Sequence, residues 1–231
     1  RKNSEANNRL HWFSSNFSIY FSYFFLKLRF SADLVTFVFF LLGLTGAVLY
    51  SFNSVTLSIL AYFFWRLHII VDMSDGDVAR FNKSFSIRGA YWDAVIHSIL
   101  NPLYFIMISF SFFVQFDNNL FLIIGSLLGL SCSVLMGTKN NYYKAKFFNK
   151  ELDNPNNNAK SNKKSLFFIL FFIFSEALGM EGFILLTLLV RLIDVEIFAT
   201  SLILLYLFSN LAISIIKFYK LSYYGYYRTK N

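Results

Sequence analysis

Stretches such as "LVTFVFFLLGLTGAVLY" and "LFLIIGSLLGLSCSVLM" carry no charge over their whole length. A bilayer core needs roughly 20 mainly apolar residues per crossing helix, and lipid admits only backbones that satisfy their own hydrogen bonds. Six such stretches are predicted, at about 33–50, 54–75, 90–114, 119–138, 165–190 and 194–216. Only 15% of the 231 residues are charged, against about 25% in soluble domains. The fold class expected is an all-α membrane protein, a six-transmembrane-helix bundle. Ahead of it, "RLHWFSSNFSIYFSYFFLKLRF" has aromatics on most sides and Arg9, Lys27 and Arg29 near its ends. It reads as an N-terminal interfacial amphipathic helix.

The chain divides as one domain over 1–231: an interfacial segment at 1–32, six spans over 33–216 and a tail at 217–231. Nothing indicates a separate soluble domain, and the first residues are too polar for a secretory signal. The net charge of +8 could suggest nucleic acid, but its distribution points to a membrane surface. Of 21 lysines and arginines, 19 fall in segments on one side, and the linkers opposite carry only Arg191. The positive-inside bias puts both termini and the 76–89 loop in the cytoplasm. An integral protein of a bacterial inner (plasma) membrane is expected. The lone cysteine, Cys132, permits no internal disulfide and no thiolate metal cluster.

Against this background, "VDMSDGDVARFNKSFSIRGAYWDAVIH" is unusual. A carboxylate at membrane depth costs about 2.5–3.5 kcal/mol. Asp72 and Asp75 nevertheless end the second span and Asp93 begins the third. Asp72, Asp75, Gly76 and Ala79 share one helix face, as do Gly89, Asp93 and His97. If the two spans pack antiparallel, three carboxylates and an imidazole converge on a face that the glycines and alanine leave almost bare. Oxygen donors with one imidazole favour Mg²⁺ or Mn²⁺, with two ions expected. Two such ions beside Arg80 would suit a diphosphate substrate.

These residues resemble the signature of the CDP-alcohol phosphotransferase family, D-x2-D-G-x2-A-R-x8-G-x3-D-x3-D. Asp72, Asp75, Gly76, Ala79, Arg80, Gly89 and Asp93 stand at the right spacings, and His97 occupies the position of the last Asp. The resemblance implies transfer of a substituted phosphate from a CDP-linked donor to an alcohol acceptor, with release of CMP. It implies metal ligation at Asp72, Asp75 and Asp93, and contact with the CDP group at Gly76, Ala79, Arg80 and Gly89. The last motif position is the family's base toward the acceptor hydroxyl. Membrane lipid as a partner and a homodimer are further expectations. "SADLVT" weakly resembles the stretch that opens the family's first span, with Ala32 and Asp33 replacing Pro-Asn. Asp33 and Thr36 are therefore candidate nucleotide contacts, with helix capping by Ser31 or Asp33 the competing reading.

At His97 the readings stay open. It can be the base, a metal ligand beside Asp93, or a change that leaves the base role to another group or removes turnover. As a ligand it would weaken the second metal position or favour a softer ion such as Mn²⁺ or Zn²⁺. An ion or solute transporter using the Asp cluster is the alternative from another class, but such a path would continue through polar outer halves of the spans. His68 is expected to make a structural hydrogen bond, or else to support a metal ligand. Arg66 is expected to pair with Glu176 or Glu181, Arg88 to border a phosphate, and Asp77 to meet solvent. Lys139, Lys144 and Lys146 are read as topological charge.

Overall fold

The computed structural model describes residues 12–84, 86–148 and 179–228. Among them are seven α-helices and no strand: α1 Trp12–Lys27, α2 Ala32–Ser51, α3 Val55–Phe81, α4 Ile87–Phe116, α5 Leu120–Phe148, α6 Met180–Ile193 and α7 Glu196–Arg228. Five of these, α2 to α5 and α7, hold stretches long and apolar enough to cross a membrane. Phe37, Phe63, Phe110, Ile123, Leu130 and Phe208 project outward from them. A water-facing monomer rarely shows so large an apolar surface, whereas in a bilayer it is lipid contact. The chain is an integral membrane protein. Most of the predicted span 165–190 lies outside the described residues, and α6 is its described end.

Short polar residues set the helix boundaries. Ser31, Ser54 and Ser86 are the N-caps of α2, α3 and α4, each hydroxyl accepting from a backbone N–H three residues on. Lys83, Asp117 and Asp194 take left-handed backbone, with φ of 52°, 51° and 56°, where the chain turns between helices. α3 runs six residues past the predicted boundary at 75, so Gly76, Ala79 and Arg80 are helical rather than in a loop.

α2 is the central element at the motif end. It packs extensively on α3 and on α4. Gly43 and Gly46 permit this: a Cβ at Gly46 would collide with the Tyr104 hydroxyl of α4, and one at Gly43 would meet His68 Nδ1 of α3 at 2.9 Å. α5 packs on α4 and α7, and α1 lies against α3. One core cluster joins Tyr50, Trp65, Tyr104, Phe112, Phe183 and Tyr206, and Cys132 is buried in it as a free thiol. A smaller cluster of Phe39, Val71, Val78, Ile96 and Leu100 lies beneath the motif.

At the opposite end, Gln115 donates to Asp194 and Asn118 to Glu196, each at 2.5 Å, joining the α4–α5 and α6–α7 turns. Arg191 reaches from α6 into the α2–α3 turn. Its Nη1 donates to Phe52 O at 2.9 Å, Ser54 O at 3.3 Å and Ser58 Oγ at 2.7 Å. An arginine that reads as a linker charge is thus buried in the turn, adding a donor to carbonyls that also accept backbone N–H groups. Arg66 pairs with Glu181, joining α3 to α6; Glu176 lies outside the described residues.

Replacing Gly125 by alanine should destabilise the bundle by about 1–3 kcal/mol. The new Cβ would collide with Ser109 Cβ, which is fixed to the α4 backbone. Gly137→Ala, with nothing within 4 Å of its Cβ position, is the control. Thermal melting of the detergent-solubilised protein should show a lower midpoint for the first variant only.

Candidate metal-binding site

α3 delivers Asp72 and Asp75, and α4 delivers Asp93 and His97. The sequence predicts direct packing between these two helices. Instead both lean on α2, and α3 and α4 approach each other only marginally. Gly43 and Gly46 draw α2 in, and its bulk holds the other two apart. Their side chains meet across the resulting gap.

His97 Nε2 lies 3.3 Å from Asp93 Oδ1 and 3.5 Å from Asp72 Oδ2. One donor atom from each of the three residues lies within 4.8 Å of the others. The two histidine distances exceed the ordinary N–H···O range of about 2.7–3.2 Å. They are close to the roughly 3.0–3.4 Å that separates donor atoms each about 2.1 Å from a shared ion. The partners described for the site carboxylates are His97, Thr36, the Gly76 backbone and one another. Two carboxylates and an imidazole so placed have the donor chemistry a divalent cation requires, and such an ion would offset the cost of holding their charge together.

Phe39 of α2 forms the floor. The His97 ring stacks on it with centroids 6.0 Å apart, and the His68 ring sits 5.2 Å from it. His68 Nδ1 is 2.8 Å from Phe39 O. A carbonyl only accepts, so Nδ1 carries the hydrogen and Nε2 is left as an acceptor in the neutral ring. That Nε2 is buried without a partner among the described residues, and the His68 and His97 rings lie T-shaped with centroids 5.7 Å apart. His68 thus makes the structural hydrogen bond that was one of its two expected roles.

Asp75 stands outside the trio. Its Oδ2 accepts from Thr36 Oγ1 at 2.9 Å. Thr36 therefore orients a motif carboxylate, a contact that sequence reading does not reveal because it depends on how α2 and α3 pack. Asp77 is a correction. It does not simply meet solvent: Ser22 of α1 donates to its Oδ2 at 3.2 Å, and Arg80 Nη2 lies 2.5 Å from its Oδ1. Serine recurring four positions apart in aromatic α1, at Ser18 and Ser22, was the available signal for a buried polar face.

The positions expected around a CDP group leave open space. Among the described residues, the atoms nearest a Cβ at Gly76 would be those of the Arg80 guanidinium, at 3.7 Å, and the neighbour of one at Gly89 would be Ser86 Oγ, at 3.3 Å. Ala79 is half-buried on the same helix. A cavity of about 550 Å³ lies between α2 and α4, lined by Asp33, Thr36, Phe37, Arg88, Trp92 and Ile99 among others. Asp33 pairs with Arg88 at 3.0 Å there, while Ser31 rather than Asp33 caps α2. The side chains of Lys139, Lys144 and Lys146 lie outside the described residues. The chain matches no protein-family model, and no curated protein matches it.

Proposed function

We propose that the protein is a membrane CDP-alcohol phosphotransferase that moves a substituted phosphate from a CDP-linked donor to an alcohol and releases CMP. The observation that carries this reading is the meeting of Asp72, Asp93 and His97 across the α3–α4 gap, with the spacing of the family signature that they share with Asp75, Gly76, Ala79, Arg80 and Gly89. On this reading the bundle has six spans, the fifth being the one predicted at 165–190, whose described end is α6. α1 lies at the cytoplasmic interface, and both termini and the site face the cytoplasm of a bacterial inner membrane.

A divalent ion, Mg²⁺ or Mn²⁺, held by Asp72, Asp93 and His97 with Asp75 alongside, would neutralise diphosphate oxygens and the charge on departing CMP. The residues do the rest. Bare helix faces at Gly76 and Gly89 admit the diphosphate close to backbone. Arg80 places a fixed positive charge beside Gly76. The acceptor oxygen bonds to the phosphorus distal to cytidine, the bond from that phosphorus to the bridging oxygen breaks, and CMP leaves. The hydroxyl proton passes to a base of the Asp93–His97 pair.

The test is purified protein supplied with a panel of CDP-linked donors and a lipid extract, with CMP and products followed by mass spectrometry. Divalent-ion-dependent CMP with a matching phosphodiester product is expected. Uptake of a donor with no CMP would mark a silent homologue, and ion flux through reconstituted protein without CMP a transporter; either result rejects the proposal.

A further inference from the structure

We propose that Asp72, Asp93 and His97 form one mixed oxygen–nitrogen site that selects a divalent transition ion over Mg²⁺. The inference rests on the metal-dependent reading above and concerns the role of His97 within it.

Three observations carry it. First, the trio is a closed donor set: His97 Nε2 lies 3.3 and 3.5 Å from one oxygen of each aspartate, so all three can face a common point. Second, Asp75, the remaining motif carboxylate, is turned to Thr36 and is not in the trio. The arrangement therefore supports one ion instead of the two the sequence suggests. Third, the fully buried His68 ring beside His97 has an Nε2 with no partner among the described residues. Buried acceptors of this kind are ordinarily satisfied by ordered water, and an ion's bound water can supply it.

Donor chemistry then decides the ion. Mg²⁺ demands oxygen ligands in near-ideal octahedral geometry. Imidazole suits transition ions, whose affinity for nitrogen rises from Mn²⁺ through Co²⁺. The stacking of His97 on Phe39 holds the ring where its Nε2 faces both aspartates, so the nitrogen is presented before any ion arrives. If Nε2 were held by an ion, Asp93 would be the member of the Asp93–His97 pair left to take the proton of the acceptor hydroxyl.

The probe is Mn²⁺ added to protein labelled with ¹⁵N only in histidine, read by pulsed electron paramagnetic resonance. A directly bonded histidine nitrogen coupling is expected in the wild type and in His68→Gln, and absent in His97→Asp. Calorimetry should give a Mn²⁺-over-Mg²⁺ preference of more than about tenfold, equivalent to about 1.4 kcal/mol, that falls in His97→Asp. The wild-type coupling needs no folded variant. Mn²⁺ bound without that coupling, while CMP release continues, overturns the inference and leaves the proposed reaction intact. No divalent binding at all removes both.

Discussion

Asp72→Asn should lower CMP release by about a thousandfold and leave the fold unharmed. The substitution keeps the shape of the side chain and removes its charge. Asp72 faces His97 Nε2 at 3.5 Å across the α3–α4 gap, so on the proposed function the loss falls on a group that would join the two helices through an ion. Charge stabilisation by a bound metal is worth several kcal/mol, and about 4 kcal/mol corresponds to roughly three powers of ten in rate. Stability should move the other way or not at all in metal-free protein. A half-buried carboxylate gathered with two others at membrane depth is a cost to the apo fold, and an amide relieves part of it. The measurements are CMP release at saturating divalent ion and the metal-free melting midpoint. Unchanged CMP release with full metal binding would remove Asp72 from the reaction.

The helical architecture was legible because lipid leaves few alternatives. The boundaries of α2 and of the apolar part of α5 fall within two residues of the apolar runs that predict them. The end of α3 was not legible: hydropathy stops at the first aspartates, while the helix continues to Phe81 because nothing in the intervening residues breaks it. Spacing alone put Asp72 with Asp75 on one face and Asp93 with His97 on another, since i, i+3 and i+4 rules fix a face without reference to neighbours; their meeting was expected only for antiparallel packing of the two spans, and with Asp75 included, whereas the trio omits it. What spacing cannot give is which helix lies between two others. The wedge of α2, the Thr36–Asp75 contact, the Phe39 floor and the Ser22–Asp77 contact all follow from that one packing choice. Its sequence trace is the pair Gly43 and Gly46, uninformative until their partners His68 and Tyr104 are in view. Arg191 was misplaced for a related reason: counting charges assigns it to a linker, and only the three-dimensional turn reveals the carbonyls it donates to.

Gly76→Ala should raise stability and lower turnover, two effects of opposite sign from one methyl group. Gly43, Gly46 and Gly125 are glycines because a neighbouring side chain occupies the place of their Cβ. Gly76 is different. Its backbone is helical, no glycine in the described chain has positive φ, and the nearest atom to a Cβ there is an Arg80 nitrogen 3.7 Å away. Among the described residues, neither packing nor backbone conformation asks for glycine. In a helix interior the exchange for alanine is worth about 0.4–1 kcal/mol of added stability, through reduced freedom of the unfolded chain. A residue that forgoes this gain without structural reason is explained if the vacant volume belongs to a ligand. On the proposed function it belongs to the diphosphate, and a displacement of the reacting group by about 1 Å can cost about 100-fold in rate. The expected result is a higher melting midpoint together with CMP release down by about two powers of ten, with divalent-ion affinity unchanged because the trio is untouched. A stabilised variant with undiminished turnover would show that no substrate approaches this face of α3.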